Sequence, residues 1–80
     1  MNIRIKINKV GIRTEYITLD GFLKFSGVAV SGGEAKKLIF EKKVLVNGKI
    51  CVTRGKKLRK GDRVSVLGKN FEVCDESNFA

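Results

Sequence analysis

The chain has no histidine, no proline and no tryptophan, and only two cysteines among its 80 residues. Without histidine, the commonest general base and metal ligand is missing. There is also no Gly-x-Ser-x-Gly elbow and no P-loop lysine motif, and the acidic residues are scattered without the spacing of a catalytic pair. No enzyme activity is expected, and no cofactor. Cys51 and Cys74 lie far apart with no Cys-x-x-Cys pair, so they cannot close a four-ligand zinc site; no metal is expected, and both thiols read as small buried hydrophobes. No apolar run approaches the roughly 20 residues of a membrane span. The N-terminus alternates charge with isoleucine instead of forming the apolar run of a signal peptide. A cytoplasmic location is expected. There is no low-complexity segment and no internal repeat, so one small domain accounts for the length.

What the chain has in quantity is positive charge. Seventeen Lys/Arg stand against eight Asp/Glu, a net +9. The distribution is uneven: Ser31 to Arg63 holds eleven basic and three acidic residues, whereas the last eleven residues hold three acids and no Lys or Arg. Clustered positive charge favours nucleic acid as partner, with an anionic membrane surface second and a merely solubilising surface as the plain alternative. Solubility alone does not require clustering. No membrane partner and no small-molecule substrate are expected, and the chain reads as a monomer.

The stretch from Ser31 to Cys51 organises the rest. Ser31 as N-cap with Glu34 three residues on makes a capping box. Ala35, Leu38 and Ile39 then form one apolar stripe at helical spacing, with Lys36, Lys37, Phe40 and Lys43 pointing elsewhere. Val44 to Val46 is a strand, and Asn47-Gly48 signals a tight hairpin because both residues tolerate positive φ. Before this unit, Thr18 is the expected N-cap of a helix running to Ser26 with Gly27 as its C′ residue. Leu19, Phe22 and Leu23 form its buried stripe, and Phe25 is expected to meet Val28 and Val30 in the link between the helices. Ile3, Ile5 and Ile7 alternate with polar residues as in a strand, broken at Lys9-Val10-Gly11, with a second extended piece over Arg13 to Ile17. After the hairpin come a basic loop over Thr53 to Lys57, a turn over Leu58 to Asp62, a strand over Arg63 to Leu67, a turn at Gly68-Lys69-Asn70 and a last strand at Phe71 to Val73.

The expected architecture is α+β: two short helices, a helix-turn-helix-like pair, packed on a small twisted antiparallel sheet of four to five strands. Residues 1–16 form an N-terminal strand or basic arm joined to that sheet, 17–74 the domain proper, and 75–80 an acidic, flexible tail.

The candidate contacts with an anionic partner fall on the helix, hairpin and loop. Lys36, Lys37 and Lys43, joined by Lys56, Lys57, Arg59 and Lys60, are placed for phosphates, which supply affinity and position but no sequence information. The backbone N–H groups of Gly32 and Gly33 offer a phosphate cradle at the helix start, opposed by Glu34 and by the donor that Ser31 consumes. Phe40, off the apolar stripe and among lysines, either stacks on an unpaired base or packs under the hairpin.

Four ordered motifs, Leu19-Asp20-x-Phe22-Leu23-Lys24, Ser31-x-x-Glu34-Ala35, Val44-Leu45-Val46-Asn47-Gly48-Lys49 and Lys60-Gly61-Asp62-Arg63-Val64, together resemble the RNA-binding domain of ribosomal protein S-four type, the alpha-L motif. The likeness spans about Ile17 to Val73 and is most similar to the small free-standing YaaA/YbcJ-like branch. It implies that the helix pair and hairpin form one surface for structured RNA, notably ribosomal RNA, in ribosome assembly or on the ribosome. It also implies no catalysis, since in larger relatives the domain is an appendage to pseudouridine synthases, tRNA synthetases or methylases. On this basis Ser31, Asn47, Lys49 and Arg54 join the expected RNA-binding residues. One position departs: many members carry Arg directly after the Ser of the second helix, where this chain has Gly32.

Two other classes stand beside this. A DNA-binding helix-turn-helix protein would need a readable polar recognition face, and the hairpin follows the second helix directly. A β-grasp sulfur carrier shares the Val-Asn-Gly and Lys-Gly-Asp turns, but works through a C-terminal Gly-Gly, and this chain ends Ser77-Asn78-Phe79-Ala80.

Overall fold

The computed structural model describes residues 6–76. Nine elements follow in the order β1 (Ile7–Ile12), β2 (Ile17–Thr18), α1 (Leu19–Phe25), α2 (Gly32–Phe40), β3 (Val44–Val46), β4 (Lys49–Ile50), β5 (Lys57–Leu58), β6 (Arg63–Val66) and β7 (Lys69–Asp75). Five strands form one sheet in the order β1-β7-β6-β3-β4, and β2 pairs with β5 in a separate two-stranded ribbon. The fold is α+β, as expected from the sequence. The large sheet, however, is mixed: β1 runs parallel to β7, and the other pairings are antiparallel. A parallel partner requires a long crossover, and here almost the whole domain lies between β1 and β7.

Both helices take the stripes that their spacing specifies. Leu19, Phe22 and Leu23 of α1 and Ala35, Leu38 and Ile39 of α2 are buried, as are Val44, Val46, Val64, Val66, Phe71 and Val73 of the sheet. Alternation in β3, β6 and β7 sends every second side chain inward, so the core is one layer between the helix pair and one sheet face. Phe22 meets Phe71 edge to face, 5.8 Å between ring centres and 84° between planes, an aromatic geometry that adds about 0.5–1.5 kcal/mol to the burial itself.

Several expectations need correction. Lys9-Val10-Gly11 does not break the first strand, because β1 continues through it to Ile12 in register with Asn70 to Asp75; a paired partner overrides weak local propensity. The alternation at Ile3 and Ile5 lies outside the described residues. Of the extended piece expected over Arg13 to Ile17, only Ile17 is strand, continuing into Thr18 and pairing with Leu58 and Lys57. Phe25 and Val30 face solvent, the latter 86% exposed, while Val28 alone of that trio packs against the core. The last hairpin turns one residue early, at Leu67-Gly68 with φ of 52° and 77°, so Lys69 and Asn70 belong to β7. Cys51 and Cys74 are free thiols, half-buried rather than enclosed. Asp75, assigned to a tail, ends β7 and pairs with Lys60, and Glu76 binds Arg13 at 2.7 Å; residues 77–80 lie outside the description.

Among the described residues no helix is long and apolar enough to cross a membrane.

Candidate nucleic-acid interface

The start of α1 fixes the basic loop. Thr18 was expected to cap this helix, but its hydroxyl instead donates to the Asp20 carboxylate at 2.7 Å, which also accepts from Gly21 N–H at 2.8 Å. The first-turn donors are taken from outside the helix: Leu19 N–H donates to the Lys56 carbonyl at 2.9 Å and Asp20 N–H to the Arg54 carbonyl at 3.1 Å. Helix N–H groups without internal partners thus anchor the backbone of the loop that carries Arg54, Lys56 and Lys57. The Thr18 hydroxyl bond, and less so the Gly21 N–H and the nearby Arg54 charge, hold the Asp20 carboxyl below the usual carboxylate range.

The Asn47-Gly48 hairpin adopts φ of 52° and 83°, the pair of positive values of a type I′ turn. The exposed Asn47 side chain bonds back to the fold: its Nδ2 donates one hydrogen to Asp62 Oδ1 at 3.1 Å and its Oδ1 accepts from Arg63 N–H at 2.9 Å. Asp62 in turn accepts from Arg59 N–H at 2.8 Å. The residue proposed from the sequence as an RNA contact therefore clamps the hairpin to the Gly61-Asp62 turn. Beyond the hairpin, Cys51 N–H donates to the Val44 carbonyl at 3.0 Å, which leads the chain back beside β3. There Lys49 and Lys56 line one groove with Ile50, Val52 and Thr53.

On α2, Ser31 Oγ accepts from Glu34 N–H at 3.2 Å, one half of the expected capping box. Gly32 and Gly33 are exposed with open space beside Gly32, and their N–H groups have no partner among the described hydrogen bonds. Phe40 does not pack under the hairpin: it is 52% exposed, with Lys36 Nζ 5.7 Å from the ring centre. Lys37 is exposed one residue further along the helix.

The expected cations divide by what neutralises them. Lys43 pairs with Glu41 at 3.1 Å, Lys60 with Asp75 at 3.1 Å and Arg59 with Glu15 at 3.9 Å. Lys36, Lys37, Lys49, Arg54, Lys56 and Lys57 have no carboxylate within 4.0 Å among the described residues. Exposed pairs of the first kind are worth about 0–1 kcal/mol, so a phosphate displaces them at little cost, while the second group meets it with no ion pair to break, Arg54 feeling Asp20 only at longer range. Lys60 is drawn toward the end of β7, away from the groove at β4.

Tyr16 was not anticipated. Lys57 Nζ lies 4.9 Å and the Arg59 guanidinium 5.8 Å from its ring centre, so one half-exposed ring holds two cations of the basic strip at cation–π distance. No spacing rule marks it; the β2–β5 pairing of Ile17 with Leu58 brings it there. Among the described residues no group of three His, Cys, Asp or Glu side chains is placed to hold a metal ion.

Two helices and a tight hairpin on a mixed sheet are consistent with an S4 domain, and the S4-domain family model matches residues 10–74. The chain belongs to that family. Among curated proteins it is similar to the probable ribosome maturation protein RlbA of Bacillus subtilis (strain 168), 48% identical over 69 residues that cover 85% of this chain and 97% of the relative. Family and relative together support a ribosome-related role.

Proposed function

We propose that this protein binds structured ribosomal RNA through its phosphate backbone and acts in ribosome maturation, as a cytoplasmic monomer without catalytic activity. The observation that carries the reading is that Lys49 and Lys56, neither with a carboxylate within 4.0 Å among the described residues, line one groove of an S4 domain, with Arg54 exposed on the adjoining loop. Such a groove meets a phosphate chain without first breaking internal ion pairs, and each neutralised phosphate releases counterions. Lys36, Lys37 and the N–H groups of Gly32 and Gly33 extend the contact along α2, and exposed Phe40 supplies a ring for an unpaired base. Lys57 and Arg59 join it from their positions on Tyr16. The name of the RlbA relative supports maturation as the setting.

Sucrose-gradient fractionation of cell lysate at low and high salt tests this. Co-migration with a ribosomal subunit or its precursor at low salt, lost at high salt, is expected. Absence from all ribosomal fractions at low salt overturns the ribosomal assignment and leaves a smaller RNA, or DNA, to be identified by cross-linking and sequencing.

A further inference from the structure

Three exposed cations stand apart from that interface. Lys6 immediately precedes β1, Lys9 lies within it, and Lys69 begins β7. The parallel register that sets Ile7 opposite Asn70 puts Lys6 beside Lys69. Lys9 stands opposite Glu72, whose carboxylate is bound to Arg63 at 3.3 Å. None of the three lysines has a carboxylate within 4.0 Å among the described residues. They border a groove of about 860 Å3 between the β1 edge and the end of α1, together with Asn8 and Ser26: by strand alternation Lys6 and Lys69 stand on the helix side of the sheet, and Lys9 flanks the groove from the other side of the β1 edge. The groove also has an amide donor: Asn8 Nδ2 spends one hydrogen on the Asn70 carbonyl at 3.2 Å.

β1 and β4 are the opposite edges of the five-stranded sheet. Four strand spacings of about 4.8 Å separate them by ~19 Å. The ground between is not basic. On the face away from the helices, the row Ile50, Leu45, Ser65, Asn70 and Ile7 is uncharged, and in the next row Arg63 is paired with Glu72. One short strand of nucleic acid lying at the β4 groove therefore does not reach the β1 groove along a continuous path of charge.

We propose that the groove of Lys6, Lys9 and Lys69 is a second phosphate-binding site, which engages a separate backbone segment of the same RNA and so selects folded RNA over a short hairpin. The inference rests on the RNA-binding reading above and adds to it the form of RNA required. Lys6 and Lys9 precede residue 10, where the family match begins, and Lys69 lies within it. A membrane is the poorer occupant, since the apolar side chains at the groove, Val10 and Phe71, pack against or within the core and offer no anchor.

The test compares the full chain with K6Q/K9Q/K69Q and with K49Q/K56Q, on two probes: full-length ribosomal RNA and a 12-base-pair RNA hairpin. On ribosomal RNA, K6Q/K9Q/K69Q is expected to bind at least tenfold more weakly at 100 mM salt. Its log–log salt slope should be shallower by about 2, from the loss of three phosphate contacts at roughly 0.7–0.9 each. On the hairpin it should match wild type within twofold, whereas K49Q/K56Q weakens both. Equal binding of K6Q/K9Q/K69Q and wild type to ribosomal RNA, with K49Q/K56Q impaired, overturns the second site while leaving the RNA-binding reading intact. If wild type binds neither RNA, both readings fall. Lysine acylation of the wild-type protein, read by mass spectrometry, needs no variant. Lys9 and Lys69 should be protected by ribosomal RNA and not by the hairpin, and no protection by ribosomal RNA overturns the proposal.

Discussion

Asn47 shows how a residue of apparent binding chemistry is absorbed by the fold. Its backbone sits at φ 52° and its amide closes both sides of the hairpin–turn junction. Asn47→Ala removes the acceptor of Arg63 N–H and places alanine in the left-handed region, so a loss of about 1–3 kcal/mol is expected. For a domain of this size that lowers Tm by about 4–8 °C per kcal/mol, measurable by thermal denaturation, with RNA affinity of the folded fraction unchanged. Phe40 is the opposite case. Half-exposed, with Lys36 Nζ 5.7 Å from its ring centre, it is expected to tolerate Phe40→Ala within about 0.5 kcal/mol of stability. Removing a ring that stacks on a base costs about 1–3 kcal/mol of binding, so titration with RNA containing unpaired bases should reveal a deficit that melting does not. The helical wheel put Phe40 outside the core stripe, but only the path of the chain after α2 decided that the hairpin would not cover it.

At the scale of elements, the important junction is between α1 and the 53–57 loop. Seven residues make a helix too short to stand alone, and its open N–H groups are satisfied by the carbonyls of Arg54 and Lys56. Asp20 offsets the cations gathered at that positive helix end. Because its pKa is depressed in the folded state, its contribution is present above the ordinary carboxylate pKa and is lost as pH falls through the folded value. Asp20→Asn should therefore lower Tm most near neutral pH, and the gap to wild type should begin to narrow near about pH 4 and close as pH falls through the lower folded value. A gap independent of pH would mean that the carboxylate charge plays no part at this junction. The sequence showed the helix, its stripe and the basic loop. It did not show that the loop caps the helix, because Thr18 before Leu19-Asp20 is also a sound local cap, and the competition is settled by a segment more than thirty residues away.

For the whole molecule the governing quantity is the net +9 and which of its charges are free. Replacing Lys36, Lys37 and Lys43 together with glutamine should flatten the log–log salt dependence of RNA binding by about 2 and leave Tm nearly unchanged, since all three side chains are exposed. A Tm that fell with the binding would show that these residues hold the fold. Lys43 should contribute the least of the three, because Glu41 already neutralises it at 3.1 Å.

The sequence by itself determined the elements whose signals are local. The two apolar stripes follow from a 3.6-residue period, the Asn47-Gly48 turn from tolerance of positive φ, and the basic character of the 49–60 region from composition. The tertiary structure decided everything that depends on distant partners. It made β1 parallel to β7, withdrew Asn47 and Lys60 into internal bonds, turned Tyr16 onto Lys57 and Arg59, and set Lys6 beside Lys69 on the far edge of the sheet. The physical reason is range. Backbone preference and side-chain periodicity act over a few residues, whereas which charge is neutralised depends on which carboxylate the folded chain brings within 4 Å.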